Sequence, residues 1–373
     1  MLRAMASTDG DLSRRVARMV MIGFDGVDAV PPDAKALIDA GVFGAILFKR
    51  NVGTPEQTAA LCRHLKEIAG RPFVLAVDQE GGRVARLRDG PFTAIPPMRD
   101  IGATGDEALA ERTGRLLAHE ISAVGFDWDF APVLDVDTNP QNPVIGDRSF
   151  GRTPELVARM GVALARGLEA GGVASCAKHF PGHGDTSQDS HLELPSLPHD
   201  MERLRAVELP PFGAFAKAGL SAVMTAHVIF QALDPEVPAT MSAKVLKLLR
   251  EELGFGGVLV SDDLEMKAIA DHFGIGEAAV RGTLGGVDLF LVCHQAGRQN
   301  EAIEAIVKAV VDGRIPRSRI DEANARLDAL ERRFAHPPAD RLAQLGTPEH
   351  QLLARGILAG AQGADPTERW RKA

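Results

Sequence analysis

Short apolar, β-branched runs recur along the chain, each closing on glycine or polar residues: 19–23, 44–48, 73–77, 126–134, 173–177, 221–226, 257–260 and 287–293. Runs of this length and composition read as buried strands. Between them, stretches such as 106–124, 154–170, 201–218 and 302–312 carry apolar residues at helical spacing. Eight strand–helix alternations, spaced by roughly 30–50 residues, predict an α/β fold in the form of a (β/α)8 TIM barrel. A doubly wound open sheet is the alternative, because periodicity does not show whether a sheet closes. No glycine-rich dinucleotide fingerprint opens an early helix, which weighs against it. The expected organisation is one catalytic domain over residues 1–373, with its core over about 15–335 and a C-terminal helix and flexible tail over 336–373. A helix is expected over 349–358, and an exposed, frayed tail over 363–373.

Polar residues gather where such a barrel would need them. Asp25, Lys49, Asp78, Asp135, Lys178, His179, His227 and Asp262 each fall at or just after the carboxyl end of a candidate strand. That end of a barrel carries the active site. One or two such residues would be loop openers or helix caps, whereas ionisable groups at successive strand ends favour chemistry. Lys49 is the weakest of the set, since a lysine opening a loop is often only solvated. Long connections follow the third, fourth and fifth strands, over 81–105, 137–153 and 180–200. Loops of that length in a compact domain tend to carry function.

Composition narrows the class. The chain is 45% hydrophobic and 25% charged, which is ordinary for a soluble protein with a sizeable core. A net charge of −8 without a basic stripe disfavours a nucleic-acid partner. Three cysteines (Cys62, Cys176 and Cys293) lack motif spacing, and the last two sit in apolar runs, so buried thiols are expected rather than disulfides. No apolar stretch reaches transmembrane length and no secretory pattern opens the chain, so a cytoplasmic protein without a membrane partner is expected.

The densest chemistry lies in Lys178–His191, K-H-F-P-G-H-G-D-T-S-Q-D-S-H. Clustered His and Asp first raise a metal site. His179 and His183 are four apart, but Phe180-Pro181-Gly182 between them prevents a regular helix, so no metal is expected. Ser175, Ser190 and Ser261 sit in no nucleophile-elbow pattern. Glycoside hydrolysis fits better: it needs one group to protonate the leaving oxygen and a carboxylate for the oxocarbenium-like centre. Asp262, at the end of the seventh strand, is placed as that carboxylate. His191, with an unperturbed pKa of about 6.5, can serve as acid and then base. Asp189, two residues earlier, can hydrogen-bond its other ring nitrogen and fix the tautomer. Asp262 and Asp263 are not separated by spacing alone, because both faces of that strand are apolar.

These residues resemble the β-N-acetylglucosaminidases of glycoside hydrolase family 3, in the short bacterial form that trims cell-wall fragments. The likeness spans most of residues 15–332. It includes Ile22-Gly23-Phe24-Asp25-Gly26, Val77-Asp78-Gln79-Glu80-Gly81-Gly82-Arg83-Val84 and Phe130-Ala131-Pro132-Val133-Leu134-Asp135-Val136. It continues through Gly146-Asp147-Arg148-Ser149-Phe150-Gly151, Lys178–His191, Met224-Thr225-Ala226-His227 and Ser261-Asp262-Asp263-Leu264. The resemblance implies a retaining, two-step mechanism with Asp262 as nucleophile, since the family places it directly after the serine. It implies His191, paired with Asp189 on the loop after the fifth strand, as acid and then base. It also implies sugar binding by Asp78, Arg86, Arg148, Lys178 and His179, with no cofactor and no metal. Gly182 and Gly184 are candidate hinges for that loop. His183 and Asp185 have no assigned role.

The expected activity is exo-hydrolysis of terminal non-reducing β-linked GlcNAc from peptidoglycan fragments such as GlcNAc–1,6-anhydro-N-acetylmuramic acid, with or without peptide. The expected partner is thus a small-molecule carbohydrate, and the expected state a monomer. A histidine base repels an anionic acceptor less than a carboxylate does, so a phosphorylase is an alternative, as are β-glucosidase specificity and an inactive sugar-binding protein.

Overall fold

The structure is a computed structural model that describes residues 2–190, 193–337 and 341–361. Eight parallel strands form its centre: β1 (Val20–Ile22), β2 (Gly44–Leu47), β3 (Val74–Val77), β4 (Trp128–Asp129), β5 (Cys176–Phe180), β6 (Ala222–Thr225), β7 (Val258–Asp263) and β8 (Leu289–Val292). Their order runs β4-β3-β2-β1-β8-β7-β6-β5, so the first and last strands in sequence are neighbours. The seam between β4 and β5 is bridged by Trp128 with Ala174 and by Val133 with Lys178. Backbone bonds Asp129 N to Ala174 O (3.0 Å), Cys176 N to Ala131 O (2.8 Å) and Leu134 N to Lys178 O (2.7 Å) stitch it. The sheet therefore closes as the barrel expected from the alternation. Strand β4 is short because Pro132 has no N–H to give the ladder, so the apolar run 126–134 pairs only in part.

Two strands run on past the ends of their apolar runs, for one reason. The run 173–177 continues as β5 through Lys178, His179 and Phe180, and 257–260 continues as β7 through Ser261, Asp262 and Asp263. Polar side chains extend both strands because partners inside the barrel compensate them, and hydropathy carries no trace of a partner.

Helices wrap the outside. Those at Glu107–Ala123 and Pro154–Ala170 lie within a residue of their expected bounds and are capped by Asp106 and Thr153. The stretch 201–218 is broken: Met201–Arg203 runs through a π turn at Leu204–Glu208 into Leu209–Lys217. Pro210 and Pro211 remove two consecutive N–H donors, and the ladder widens around the loss. The helix Ala296–Val311 starts before 302 because its first turn is polar. The terminal helix Pro348–Ala361 is held by Glu120, which accepts from Gly346 N (2.9 Å) and binds His350 Nδ1 (2.9 Å). The expected tail over 363–373 lies outside the described residues. Among the described residues no helix is long and apolar enough to cross a membrane.

Buried acids anchor the shell to the barrel. Asp288, before β8, binds Arg250 Nη2 (2.6 Å), Arg326 Nη1 (3.1 Å), Arg319 and the Leu259 amide (3.0 Å). Asp127, before β4, takes Lys66 Nζ (2.7 Å) and the Leu75 amide (2.9 Å). All three cysteines are free and buried, as expected, and burial pushes the Cys62 thiol up to about 12.

Candidate active site

A cavity of about 130 Å³ opens among the carboxyl ends of the strands. Asp78, Arg86, Arg148, Lys178, His179 and Asp262, all expected at the site, line it together with Glu80, His183, Ser190 and Asp263. The chain brings these residues from the ends of β3, β5 and β7 and from the loops that follow β3, β4 and β5. A larger groove of about 710 Å³ lies between helices Glu107–Ala123 and Pro348–Ala361, away from the strand ends.

One charge network forms the cavity wall. Lys178 Nζ stands 2.9 Å from Asp78 Oδ1 and 2.6 Å from Glu80 Oε1. Asp78 Oδ2 accepts from Arg86 Nη2 at 3.0 Å. Glu80 accepts from Arg148 through two bonds, Nε to Oε2 and Nη2 to Oε1, both 2.8 Å. Burial alone would raise the Asp78 carboxyl, but Lys178 and Arg86 outweigh it and hold the group below the usual carboxylate range. Burial is likewise overcome at Glu80, where Arg148 and Lys178 bring the pKa to about 2. The carboxylates in turn push Lys178 and Arg148 up against the effect of burial. The wall therefore presents fixed charges rather than titrating ones.

Glu80 had no assigned role in the sequence, although it stands within one of the quoted motifs. A glutamate beside two glycines reads as a turn residue; what reveals it is Arg148, 68 positions away, which folding brings alongside.

Beneath this wall, Asp135 holds the start of the histidine segment. Its Oδ2 is 2.7 Å from His179 Nδ1, and its Oδ1 accepts from His179 N (3.2 Å) and His183 N (2.7 Å). The rings of His179 and His183 meet edge-on with centroids 5.8 Å apart. Both nitrogens of His183 are taken by hydroxyls, Thr186 Oγ1 at 2.7 Å and Ser190 Oγ at 3.0 Å. Asp185 accepts from Thr138 Oγ1 (2.9 Å) and stands 2.9 Å from His199 Nε2. Gly184 is needed for a close approach: a Cβ there would fall 1.8 Å from the Val136 carbonyl oxygen.

The two aspartates of β7 differ in surroundings. Asp263 Oδ1 accepts from Cys293 N (3.2 Å) and Glu265 N (3.1 Å), and its Oδ2 is 3.2 Å from His294 Nε2. Asp262 Oδ1 accepts from Asp263 N at 2.8 Å. His227 Nε2 donates to the Asp263 carbonyl at 3.0 Å, so this strand-end histidine fixes the backbone carrying both acids. Asp25 and Lys49 lie on the rim instead, where Asp25 pairs with Arg50 (2.7 Å) and Lys49 with Asp89 (2.5 Å). Asp189 is described and half-buried, and its carbonyl accepts from Glu193 N at 2.9 Å; His191 lies outside the described residues.

The family model for the glycosyl hydrolase family 3 N terminal domain matches residues 11–330. The chain belongs to glycosyl hydrolase family 3. Among its relatives, the β-hexosaminidase of Thiobacillus denitrificans is 39% identical over 325 residues, spanning 86% of this chain and 88% of that protein. That of Neisseria meningitidis serogroup C is 42% identical over 294 residues, spanning 77% and 81%. Among solved structures, a glycoside hydrolase family 3 β-N-acetylglucosaminidase from Paenibacillus sp. superposes with a TM-score of 0.88 at 43% identity, covering 94% of this chain and 68% of that one. NagZ from Neisseria gonorrhoeae, solved with N-trifluoroacetyl-D-glucosamine, gives 0.75 at 36% identity, covering 92% and 98%. The family 3 glycosidase architecture thus covers the barrel and the cavity.

Proposed function

We propose that this protein is a retaining exo-β-N-acetylglucosaminidase that removes terminal β-linked GlcNAc from peptidoglycan fragments, GlcNAc–1,6-anhydro-N-acetylmuramic acid with or without peptide among them. The observation that carries the reading is a strand-end cavity in which Asp262 stands with Asp78, Arg86, Arg148, Lys178 and His179. The relatives named above support the sugar, being β-hexosaminidases and β-N-acetylglucosaminidases.

Asp78 has lone pairs for sugar hydroxyls, while Arg86, Arg148 and Lys178 only donate. Their mutual pairing holds each side chain in place before the sugar arrives, which lowers the cost of ordering them on binding. Asp262 attacks the anomeric carbon, forming a C–O bond as the glycosidic C–O bond breaks. Asp263 is tied to the amides of Cys293 and Glu265, which favours Asp262 for that role. The departing oxygen takes a proton from His191, which Asp189 orients. Water then attacks the glycosyl-enzyme, giving its proton back to His191 and releasing the β-anomer. Ser190 lines the cavity, and His191 is the next residue in the sequence. Cell-wall recycling in the cytoplasm by a monomer completes the reading.

The test is turnover of aryl β-N-acetylglucosaminides and β-glucosides, with and without inorganic phosphate. Release of β-GlcNAc independent of phosphate supports the proposal. A sugar phosphate product, preference for the glucoside, or binding without cleavage would each overturn it.

A further inference from the structure

The two residues of the histidine segment left without a role, His183 and Asp185, point to a device that fixes the proton-transfer peptide. The proton positions at His183 follow from its neighbours. Thr186 Oγ1 donates its only proton to the His183 carbonyl (3.1 Å) and accepts from Asn142 Nδ2 (3.3 Å). The same oxygen lies 2.7 Å from His183 Nδ1, so Nδ1 carries the hydrogen and donates to it. In a neutral imidazole Nε2 then holds a lone pair, and Ser190 Oγ–H, 3.0 Å away, donates to it. Burial, and then the neighbouring His179, lower the His183 pKa to about 4, which keeps the ring in that neutral form.

This bond joins the two ends of one loop. His183 sits at its root, fixed by its own amide to Asp135, the carboxylate that also holds His179 in the sugar wall. Ser190 sits at its far end, buried, between Asp189 and His191. Asp185 ties the root as well, accepting from Thr138 Oγ1, with His199 Nε2 2.9 Å away. A continuous set of bonds thus runs from Asp135 through His183 to the peptide between the two proposed proton-transfer residues.

We propose that His183 and Ser190 form a positioning latch, in which the Ser190 hydroxyl bound to His183 Nε2 sets where the Asp189–His191 peptide stands relative to the sugar. Neither residue transfers the proton; both act through the residues flanking Ser190. The latch rests on the assignment of His191 as acid and base given under Proposed function.

The test is kcat/KM across aryl β-N-acetylglucosaminides of rising leaving-group pKa, for wild type, Ser190→Ala, Ser190→Thr, His183→Asn and His191→Ala. A mispositioned acid matters most where the leaving oxygen most needs its proton. Ser190→Ala should lose on the order of tenfold on the poorest leaving group and under about threefold on the best. His183→Asn, which keeps a donor for Thr186 but removes the Nε2 acceptor, should show the same steepened dependence. Ser190→Thr, which keeps the hydroxyl, should restore most of the loss. Because Ser190 lines the cavity, inhibition by free GlcNAc is measured alongside; a weakening there that matches an equal loss of kcat/KM on every substrate would overturn the latch. A steeper dependence in His191→Ala with an unchanged one in Ser190→Ala and His183→Asn overturns the latch alone. An unchanged dependence in His191→Ala as well overturns the acid–base assignment and the latch with it.

Discussion

Glu80 and Arg148 meet through two parallel hydrogen bonds of 2.8 Å, the glutamate buried and the arginine mostly so, 68 residues apart in sequence. A buried pair of this kind stabilises less than its Coulomb attraction implies, but breaking it by removing one partner is costly. Glu80→Gln leaves Arg148 and Lys178 with one carboxylate, Asp78, between them and Arg86. We expect a loss of about 3 kcal/mol in stability, read by urea denaturation, and a rise of at least about tenfold in KM. A variant as stable as wild type would show that the pair contributes nothing to the fold.

Acid should weaken the fold in two overlapping windows. His183 has its pKa lowered from 6.5 to about 4, so the unfolded chain binds a proton there before the folded chain does. That contribution is complete above the unfolded value and is lost as pH falls from 6.5 towards 4. Glu80, lowered from 4.5 to about 2, behaves in the same direction, its share being lost as pH falls from 4.5 towards 2. Each amounts to about 3 kcal/mol by linkage. Denaturation midpoints across pH should fall in both windows, and His183→Asn should flatten the upper one.

Asp262→Ala should abolish turnover, by about 10⁴-fold or more on an aryl substrate, with the far-UV spectrum unchanged. Asp263→Ala should act differently, because it releases the amides of Cys293 and Glu265 and loosens the end of β7. If Asp263→Ala removed turnover while Asp262→Ala spared it, the two roles would be exchanged.

Asp288 takes three guanidinium groups and one amide, far from the cavity. Asp288→Ala leaves these cations without their carboxylate and should cost about 3–5 kcal/mol. Its kcat at low temperature should remain near that of wild type, since none of the four partners lines the cavity. A kcat loss matching the stability loss would contradict this separation.

Exhaustive chelation should leave activity intact. Both nitrogens of His183 are held by hydroxyls, so that ring has no nitrogen left over as a ligand. Loss of turnover on dialysis against chelator, restored by zinc, would revive a metal role.

Much of this site was legible in the pattern. Asp78, Lys178, His179 and Asp262 stand out because ionisable groups closing apolar runs are costly unless a barrel end uses them. Arg86 and Arg148 came from motif resemblance, since a loop arginine has no periodicity to mark it. Glu80 has no such mark for the same reason, and Asp135, although it closes an apolar run, shows its partners His179 and His183 only in the fold. Asp25 closes its run just as convincingly and Lys49, the weakest of the set, less so; both only line the rim in ion pairs.

By itself the chain determined its alternation of strands and helices, its eightfold count and the strand ends that carry charge. These follow from local chemistry: burial of every second or fourth side chain, proline's missing N–H, and the cost of a lone charge. Only the tertiary structure decided that the sheet closes between β4 and β5, that β5 and β7 extend through polar residues, and that Glu80 compensates Arg148. It also decided that His183 binds Ser190 across the loop. Each is a matter of pairing across the fold, where a buried polar group is stable only beside its partner, and no residue's own type names which partner that will be.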